Sequence, residues 1–178
     1  RVFITGATNG IGLAAAQSLA SQGALVDLLC RNPERGAQVS DELTRLSPSG
    51  YQSATVVADM ADLSQLRSEL ERYTTDTGPV DILLNNAGVV MTRRALTVDG
   101  FETSFAVNHL APFLITGLLM PNLLDAEAAR VVTVSSHAHT FVKGMNFGDL
   151  HSAARYRTFD AYGQSKLANL LFNLELST

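Results

Sequence analysis

The chain lacks the residues that mark several classes of protein. It has 178 residues but a single cysteine, so an intramolecular disulfide is excluded and Cys30 by itself cannot form a cysteine metal site. Basic blocks are absent beyond Arg93-Arg94, and the formal net charge is -4. Both observations argue against a surface that binds nucleic acid or anionic lipid.

Long apolar runs are also scarce. The longest, residues 110–124, is interrupted by two prolines and by polar residues, so we expect no segment inserted in a membrane. No stretch resembles a secretion signal, and we expect a cytoplasmic protein. The sequence opens at Arg1 inside a strand pattern and stops at Thr178 inside a helical pattern without a C-cap. We therefore expect a fragment of a longer protein.

Apolar strands and amphipathic helices alternate along the chain. With 46% apolar and 17% charged residues, the composition is that of a single domain that buries a core. Strands are predicted at residues 2–5, 24–30, 51–58, 80–85 and 130–135. Helices are predicted at residues 10–22, 33–46, 62–75 and 98–120, and around Tyr162. A capping box formed by Asp62 and Gln65 opens the third helix.

This alternation predicts an α/β fold of Rossmann type, which is a doubly wound parallel sheet with helices on both faces. Residues 1–178 would form one such domain. Ligands of these sheets bind beyond the carboxyl ends of the strands, where the strand order reverses. The functional residues are therefore expected at strand ends.

A glycine-rich turn at residues 5–12 follows the first strand. Glycines there permit a tight turn and let main-chain N–H groups at the start of a helix bind a pyrophosphate. The alternative is a plain strand-to-helix turn. The placement between the first strand and the first helix favours the nucleotide site.

The second predicted strand ends at Cys30, which is followed by Arg31 and Asn32. A carboxylate at this strand end would accept a hydrogen bond from a ribose 2′-hydroxyl and repel a 2′-phosphate. The uncharged thiol and the adjacent guanidinium group instead favour NADP(H) over NAD(H). The alternative is that Arg31 is a solvated surface residue.

Tyr162 and Lys166 lie four residues apart in the last predicted helix and so share a face. A phenol with a pKa of about 10 is a poor acid near neutrality, and a nearby ammonium group favours its ionised form. The pair is therefore a candidate proton donor. Taken alone, it could also be a tyrosine beside a solvated lysine.

These features occur in one order along the chain. The order is Thr-Gly-x-x-x-Gly-x-Gly at residues 5–12, Asp59, Asn85-Asn86-Ala87-Gly88, Asn108, Ser135-Ser136, and Tyr162 with Lys166. With this order the chain resembles the single-domain branch of the short-chain dehydrogenase/reductase family. The resemblance implies an NADP(H)-dependent oxidoreductase that moves a hydride between nicotinamide and a carbonyl or alcohol. It also implies that later strands of the family's sheet are missing from this chain.

The resemblance assigns roles to individual residues. Ser136 would bind the substrate oxygen, and Tyr162 would transfer the proton. Lys166 would act on the phenol and bind the nicotinamide ribose, and Asn108 would hold a water that links to Lys166. The implied cofactor-binding residues are Thr5, Gly6, Thr8, Asn9, Gly10, Ile11, Gly12, Arg31, Asn32, Asp59, Met60, Asn86, Ala87, Gly88, Tyr162 and Lys166. Asp59 and the Asn85-Asn86 pair could instead satisfy main-chain groups at strand ends.

Pro112 lies four residues after Asn108 in the same predicted helix. Proline has no N–H, so the main-chain carbonyl of Asn108 should lose its helical partner and the helix should kink. The freed carbonyl could bind water, which agrees with the role that the resemblance gives to Asn108. The alternative is that Pro112 only bends the helix around the core.

The interval between Ser136 and Tyr162 is long and aromatic. Together with the segment at residues 165–169, it resembles the retinol-dehydrogenase-like and protochlorophyllide-reductase-like branch of the family, which implies a hydrophobic substrate. The aromatic residues could instead close the core under the loop. His137 and His139 are candidates for the substrate pocket. No metal site is expected, because no carboxylate or cysteine lies at a ligand-like spacing from them.

The final helix carries two apolar stripes. We predict that Leu167, Leu170, Leu171 and Leu174 cover the sheet. Ala161, Ala168 and Phe172 would then form a homodimer contact, unless a C-terminal segment packs there.

Two other functions remain open at this stage. One is a non-catalytic NADP(H)-binding sensor or scaffold, which the intact set of Asn108, Ser136, Tyr162 and Lys166 disfavours. The other is a sugar-nucleotide epimerase, which usually has a different glycine spacing and a larger C-terminal domain.

Overall fold

Five parallel strands form one sheet in the computed structural model, which describes residues 1–177. The strands are β1 (Val2–Thr5), β2 (Val26–Cys30), β3 (Thr55–Val57), β4 (Ile82–Asn85) and β5 (Arg130–Thr133). Their order across the sheet is β3-β2-β1-β4-β5, so the strand order reverses between β1 and β4. Every pairing is parallel, which confirms the predicted doubly wound α/β fold.

Helices cover both faces of the sheet. They are α1 (Gly10–Ser21), α2 (Pro33–Leu46), α3 (Leu63–Asp76), α4 (Thr103–Phe105), α5 (Ala111–Leu124) and α6 (Thr158–Leu176). Side chains alternate along β1, so Val2 and Ile4 pack with α1 and α2. Phe3 points to the other face and packs with α3 and α5. This alternation gives the sheet a separate apolar core on each side.

β3 is shorter than the strand predicted at residues 51–58. The carboxylate of Asp27, fully buried within β2, accepts hydrogen bonds from the Tyr51 hydroxyl and from the N–H of Ala54, both at 2.8 Å. The Tyr73 hydroxyl donates to the other carboxylate oxygen at 2.8 Å. A buried carboxylate needs such partners, so the segment before Thr55 bends towards it and does not extend the strand.

The helix predicted at residues 98–120 begins later and ends later. A turn at Gly100, with φ at +83°, precedes it. The side chain of Glu102 then caps α4, accepting from the N–H groups of Ser104 and Phe105. Between α4 and α5 the chain forms a π-helical turn, Ala106–Leu110. The predicted irregularity near Pro112 is therefore a π-turn that precedes the proline.

The predicted capping box at α3 is half correct. Asp62 caps the helix by accepting from Gln65 N–H at 2.9 Å. The Gln65 side chain, however, accepts from Asp59 N–H at 2.8 Å and does not return to Asp62. It therefore fixes the chain at the end of β3, beside the predicted nucleotide site.

The two predicted stripes of α6 are only partly correct, and one residue of each, Leu167 and Phe172, is half-buried. Leu170, Leu171 and Leu174 are 39%, 45% and 67% exposed, so they do not cover the sheet. Ala161 and Ala168 are buried within the chain, along with the polar residues Ser165, Lys166 and Asn169. The helix thus turns its polar face inwards. Thr178, at which the predicted helix pattern breaks off, lies outside the described residues.

One helical stretch of the described chain, Thr103–Leu124, is apolar and long enough to cross a membrane, with 22 residues and a mean hydropathy of 1.3. This stretch is longer than the interrupted apolar run at residues 110–124 from which no membrane segment was expected. Ala111, Ile115 and Leu119 of this stretch belong to the core against α3. With 56% of its most apolar window buried, it packs as a core helix.

Candidate active site

The glycine-rich turn at the end of β1 packs directly against the end of β4. Gly6 and Gly10 have φ angles of +69° and +53°, which other residues adopt only with strain. Asn86 holds the turn, because its Nδ2 donates to the carbonyl oxygens of Thr5 and Gly6 at 3.0 and 3.3 Å. A Cβ on Gly12 would overlap the Gly6 carbonyl. The first turn of α1 can therefore lie against the loop only because residue 12 is glycine.

A cavity of about 650 Å³ opens between this turn and the ends of β2, β3 and β4. It lies where the strand order reverses, which is the ligand position expected for such sheets. The predicted cofactor residues that line it are Gly6, Thr8, Asn9, Gly10, Ile11, Gly12, Arg31, Asp59, Met60, Asn86, Ala87 and Gly88. The open space around Gly10 and the N-terminus of α1 fit a dinucleotide whose pyrophosphate lies on main-chain N–H groups.

Four other predicted cofactor residues are not among the residues that line this cavity: Thr5, Asn32, Tyr162 and Lys166. Thr5 is fully buried, and its hydroxyl accepts from the N–H groups of Asn86 and Ala87, both at 3.0 Å. Asn32 caps α2 by accepting from Arg35 N–H at 2.7 Å. Thr5 therefore holds Asn86 and Ala87 of the cavity lining in place, and Asn32 fixes the start of α2.

Asp59, which follows β3, has both its predicted and its alternative role, and Cys30 ends β2. Asp59 lines the cavity, and its Oδ1 also accepts from Ala61 N–H at 2.9 Å, as the main-chain alternative expected. Cys30 lies buried against α2, where a Cβ on Gly36 would be 2.5 Å from its Sγ. Burial raises the pKa of the Cys30 thiol, so this strand end carries no negative charge.

Arg35 is a basic residue of this region that sequence reasoning missed. Its Nε donates to the Thr8 carbonyl at 3.1 Å, which joins α2 to the glycine-rich turn. Arg31 lines the same side of the cavity and is exposed. Two guanidinium groups therefore flank the cavity near the end of β2. The sequence signal that could have identified Arg35 is its position in the first turn of α2, as a second basic residue shortly after β2.

Lys166 and Tyr162 are brought together on α6 as the sequence spacing predicted. The Lys166 Nζ lies 5.7 Å from the centre of the Tyr162 ring. It donates to the Val134 carbonyl at 2.8 Å, just beyond β5. Lys166 is 3% exposed, and burial lowers its pKa.

The serine pair after β5 divides into two environments. Ser135 Oγ donates to the Lys166 carbonyl at 2.9 Å, so its hydroxyl is used to attach α6 to the strand end. Ser136 Oγ accepts from Ala138 N–H at 3.2 Å and begins the short 3₁₀ helix His137–Phe141. Because a hydroxyl can donate and accept, Ser136 keeps its O–H for a ligand. This arrangement agrees with Ser136 as the candidate.

Asn108 is fully buried in the π-helical turn, and all its polar groups have protein partners. Its side chain accepts from Val89 N–H at 2.7 Å and donates to the Val89 carbonyl at 2.9 Å and to Ser165 Oγ at 3.0 Å. Its main-chain carbonyl accepts from Asn169 Nδ2 at 2.9 Å. The prediction that this carbonyl is free was therefore wrong, because the neighbouring helix supplies the donor that Pro112 cannot.

Gly88 is where the cavity meets the candidate catalytic residues. It lines the cavity. A Cβ at this position would lie 3.4 Å from Asn108 Oδ1 and 3.4 Å from Lys166 Nζ. The absence of a side chain thus lets a ligand in the cavity approach Lys166.

The loop at residues 142–157 folds back over the segment before α4. The Tyr156 hydroxyl donates to the Met91 carbonyl at 2.9 Å and lies 3.3 Å from Glu102 Oε1. Phe141 and Phe147 are 56% and 79% exposed, so they do not close the core. His137 is exposed, and His139 Nδ1 lies 2.7 Å from the Ser136 carbonyl. No three potential metal-ligating side chains cluster within residues 1–177.

The chain matches known proteins along nearly its whole length. The sequence profile of a family described as short chain dehydrogenase matches residues 1–173. Retinol dehydrogenase 12 of Mus musculus is 44% identical over 176 residues, which cover 99% of this chain and 55% of that protein. The chain thus spans about half the length of this curated relative.

Two crystal structures share the fold over nearly the whole chain. An uncharacterised protein of Mycobacterium paratuberculosis superposes with a TM-score of 0.82 at 41% identity, covering 98% of this chain and 60% of that one. A short-chain dehydrogenase of Burkholderia cenocepacia in complex with NADP has a TM-score of 0.77 at 27% identity, covering 99% and 66% of the two chains.

Proposed function

Because the chain belongs to the short-chain dehydrogenase family, we propose that the intact protein is an NADP(H)-dependent oxidoreductase that interconverts a carbonyl group and an alcohol. The observation that carries this proposal is that the cofactor cavity and the candidate catalytic residues adjoin each other at Gly88. Gly88 lines the dinucleotide-sized cavity, and Lys166 and Asn108 lie directly behind this residue. The Tyr162 ring lies beside this lysine, and a site that only binds a nucleotide would not need a phenol there.

The proposed chemistry divides between cofactor and protein. A bound NADPH would supply the hydride to the carbonyl carbon and leave as NADP⁺. Tyr162 gives its hydroxyl proton to the carbonyl oxygen, so that the product is an alcohol. Lys166 places a positive charge 5.7 Å from the phenol ring and stabilises the negative charge that the phenol acquires. Ser136 donates a hydrogen bond to the same substrate oxygen. Oxidation of an alcohol follows the same steps in reverse.

NADP(H) is the proposed cofactor in preference to NAD(H). Support comes from the buried, neutral Cys30 at the end of β2 and from Arg31 and Arg35 beside it. A 2′-phosphate carries negative charge that guanidinium groups bind in paired, charge-assisted hydrogen bonds. The similar structure from Burkholderia cenocepacia contains NADP, which is consistent with this preference.

The proposed substrate is a hydrophobic aldehyde, ketone or alcohol. Phe141 and Phe147 are exposed on the segment that follows Ser136, and the Phe141 ring lies 6.3 Å from that of Phe159 at the start of α6. Exposed aromatic residues beside a site of this kind favour apolar ligands. Retinol, the alcohol in the name of the mouse relative, is of this chemical class.

The test is NADPH oxidation by the intact protein with a panel of apolar and polar aldehydes and ketones. We expect turnover with apolar carbonyl compounds and higher kcat/KM for them than for small polar ones. Tight NADPH binding without turnover of any carbonyl or alcohol would instead support a sensor or scaffold.

We also propose a homodimer that uses α6. The surface is only in part the predicted one, because Ala161 and Ala168 are buried within the chain whereas Phe172 is partly exposed. The exposed face consists of Leu171 and Leu174, with Phe172 packed 5.3 Å from the partly exposed ring of Phe113 on α5. Sedimentation of the intact protein as a monomer at micromolar concentration would contradict this proposal.

A further inference from the structure

The main-chain carbonyl of Asn108 depends on a side chain from another helix. Asn108 is 0% exposed, and Asn169, which donates to its carbonyl, is 2% exposed. The residue that would donate to this carbonyl in an uninterrupted α-helix is Pro112, which has no N–H. A buried carbonyl without a partner is costly. Asn169 therefore satisfies a requirement that the α4–α5 segment creates.

The orientation of the Asn169 amide is fixed by its second partner. Nδ2 donates to the Asn108 carbonyl, so Oδ1 faces His109, whose Nδ1 lies 3.1 Å away. An amide oxygen can only accept, and so His109 Nδ1 must carry the hydrogen. His109 is enclosed by the rings of Phe105 and Phe172, at 5.2 and 6.2 Å. Burial lowers the His109 pKa, which keeps the ring neutral and the tautomer defined.

Two hydrogen bonds join the π-helical turn to α6, one on each side of Lys166. Asn108 Nδ2 donates to Ser165 Oγ at 3.0 Å, one residue before Lys166. Asn169 Nδ2 donates to the Asn108 carbonyl at 2.9 Å, three residues after it. Together they fix the rotation of α6 about its axis relative to the turn. The same Asn108 side chain holds Val89, next to Gly88 in the cavity wall.

We infer that Asn169 is a positioning residue for the proposed reaction. It holds the Asn108 carbonyl from α6, and His109 in turn fixes the amide that does so. This bond sets the position of Lys166 relative to Gly88 and the cofactor cavity. The inference rests on the proposed function for its kinetic consequence, whereas the Asn108–Asn169–His109 arrangement stands on the structure alone.

The kinetic test is Asn169→Leu in the intact protein, which keeps most of the volume and removes the amide. We expect a decrease in kcat of roughly 10- to 100-fold, because displacement of a reacting group by about 1 Å has effects of this size. The affinity for NADPH should change by less than about threefold, since the glycine-rich turn is untouched. The pH profile of kcat should also shift, because the surroundings of Lys166 change.

A matched control is Asn173→Leu, one turn further along the same helix. Asn173 Oδ1 accepts from Thr133 Oγ1 at 2.9 Å, so this variant also removes one hydrogen bond between α6 and its neighbours. We expect kcat and its pH profile to stay near those of the wild type. Equal losses in both variants with unchanged pH profiles would overturn the inference, since Asn169 would then act only in general packing.

A second measurement does not depend on activity, and its decisive part uses only the wild-type protein. The ¹⁵N chemical shifts of the His109 ring in the cofactor-free wild-type protein report which nitrogen carries the hydrogen. We expect the Nδ1–H tautomer, and its loss in Asn169→Leu. An Nε2–H tautomer in the wild type would overturn the arrangement. If the wild type turns over no carbonyl or alcohol, the proposed function fails and the kinetic role of Asn169 fails with it, whereas this measurement still decides the Asn108–Asn169–His109 arrangement.

Discussion

Lys166 lies beside the ring of Tyr162, with its ammonium nitrogen 5.7 Å from the ring centre and bonded at 2.8 Å to the Val134 carbonyl. The bond to Val134 fixes the ammonium group at the end of β5. The charge is thus held between the phenol on α6 and the cavity wall at Gly88. This relationship is the basis of the proposed proton transfer.

Tyr162→Phe should abolish turnover while the protein still binds NADPH. Removal of the hydroxyl removes the proton donor, so kcat should fall by about 10²- to 10⁴-fold. Tyr156→Phe is the matched control, because it removes another hydroxyl near the site, one that donates to Met91. Steady-state NADPH oxidation and cofactor fluorescence titration measure the two effects. Unchanged kcat in Tyr162→Phe would remove Tyr162 from its role.

Arg31→Ala should weaken NADPH binding and leave NADH binding nearly unchanged. Arg35→Ala should weaken NADPH binding more than NADH binding, because Arg35 also holds the Thr8 carbonyl of the glycine-rich turn that both cofactors use. Loss of a charge-assisted hydrogen bond to the 2′-phosphate is worth about 1.5–3 kcal/mol, which is roughly 10- to 100-fold in Kd. Arg45→Ala, near the far end of α2, controls for the loss of one positive charge. Calorimetric titration with both cofactors gives the ratio. Equal weakening for NADPH and NADH would contradict a role in 2′-phosphate recognition.

Gly163→Ala and Gly117→Ala should have opposite effects on stability. A Cβ on Gly163 would lie 2.6 Å from the Ala138 carbonyl oxygen, so it would push the 3₁₀ helix away from α6. Overpacking of this kind costs about 1–3 kcal/mol. At Gly117 in α5, a Cβ meets no described atom within 4 Å outside its own helix, so alanine should add about 0.5–1 kcal/mol. Urea unfolding of both variants is the measurement, and destabilisation of equal size would refute the packing argument.

The free energy of unfolding should decrease as the pH falls below about 6.5, the ordinary pKa of a histidine. Burial lowers the His109 pKa below its usual 6.5. Below that pH the unfolded chain binds a proton that the folded chain does not, so the free energy of unfolding falls with decreasing pH. Above it, both states are neutral and His109 adds no slope. The limiting slope for one proton is about 1.4 kcal/mol per pH unit.

His109→Gln tests this assignment, because glutamine can donate to Asn169 but does not titrate. Urea unfolding between about pH 7.5 and about pH 5.5 should show a smaller pH dependence in this variant than in the wild type. The remaining histidines are common to both proteins. Equal slopes would show that His109 does not account for the acid sensitivity.

The sequence predicted what depends on local spacing. The glycine-rich turn and the strand ends can be recognised from residue types along a short stretch of sequence. The pairing of Tyr162 with Lys166 follows from their spacing, because residues four apart lie on the same face of a helix whatever packs against it. Asp62 could be assigned as a helix cap for the same reason. The parallel sheet with helices on both faces followed from the alternation of strands and helices, because few topologies accommodate that alternation.

Other features could not be predicted because they join residues far apart in the chain. Gln65 bonds to Asp59 rather than Asp62 because of how the end of β3 approaches α3. Arg35 reaches Thr8, 27 residues away, only when α2 packs beside the turn. The leucine stripe of α6 was assigned to the sheet on apolarity, whereas the polar residues that satisfy buried groups face inwards.

By itself, the amino-acid sequence determined the alternation of strands and helices, the glycine positions that let the chain turn, and the chemical groups able to move a proton. These depend on backbone conformation and on the intrinsic chemistry of side chains. Only the tertiary structure decided which groups are left for a ligand, because a buried donor or acceptor takes whatever partner the packing brings to it. The Asn108 carbonyl was predicted from the sequence to be free, and in the folded chain it accepts a hydrogen bond from Asn169.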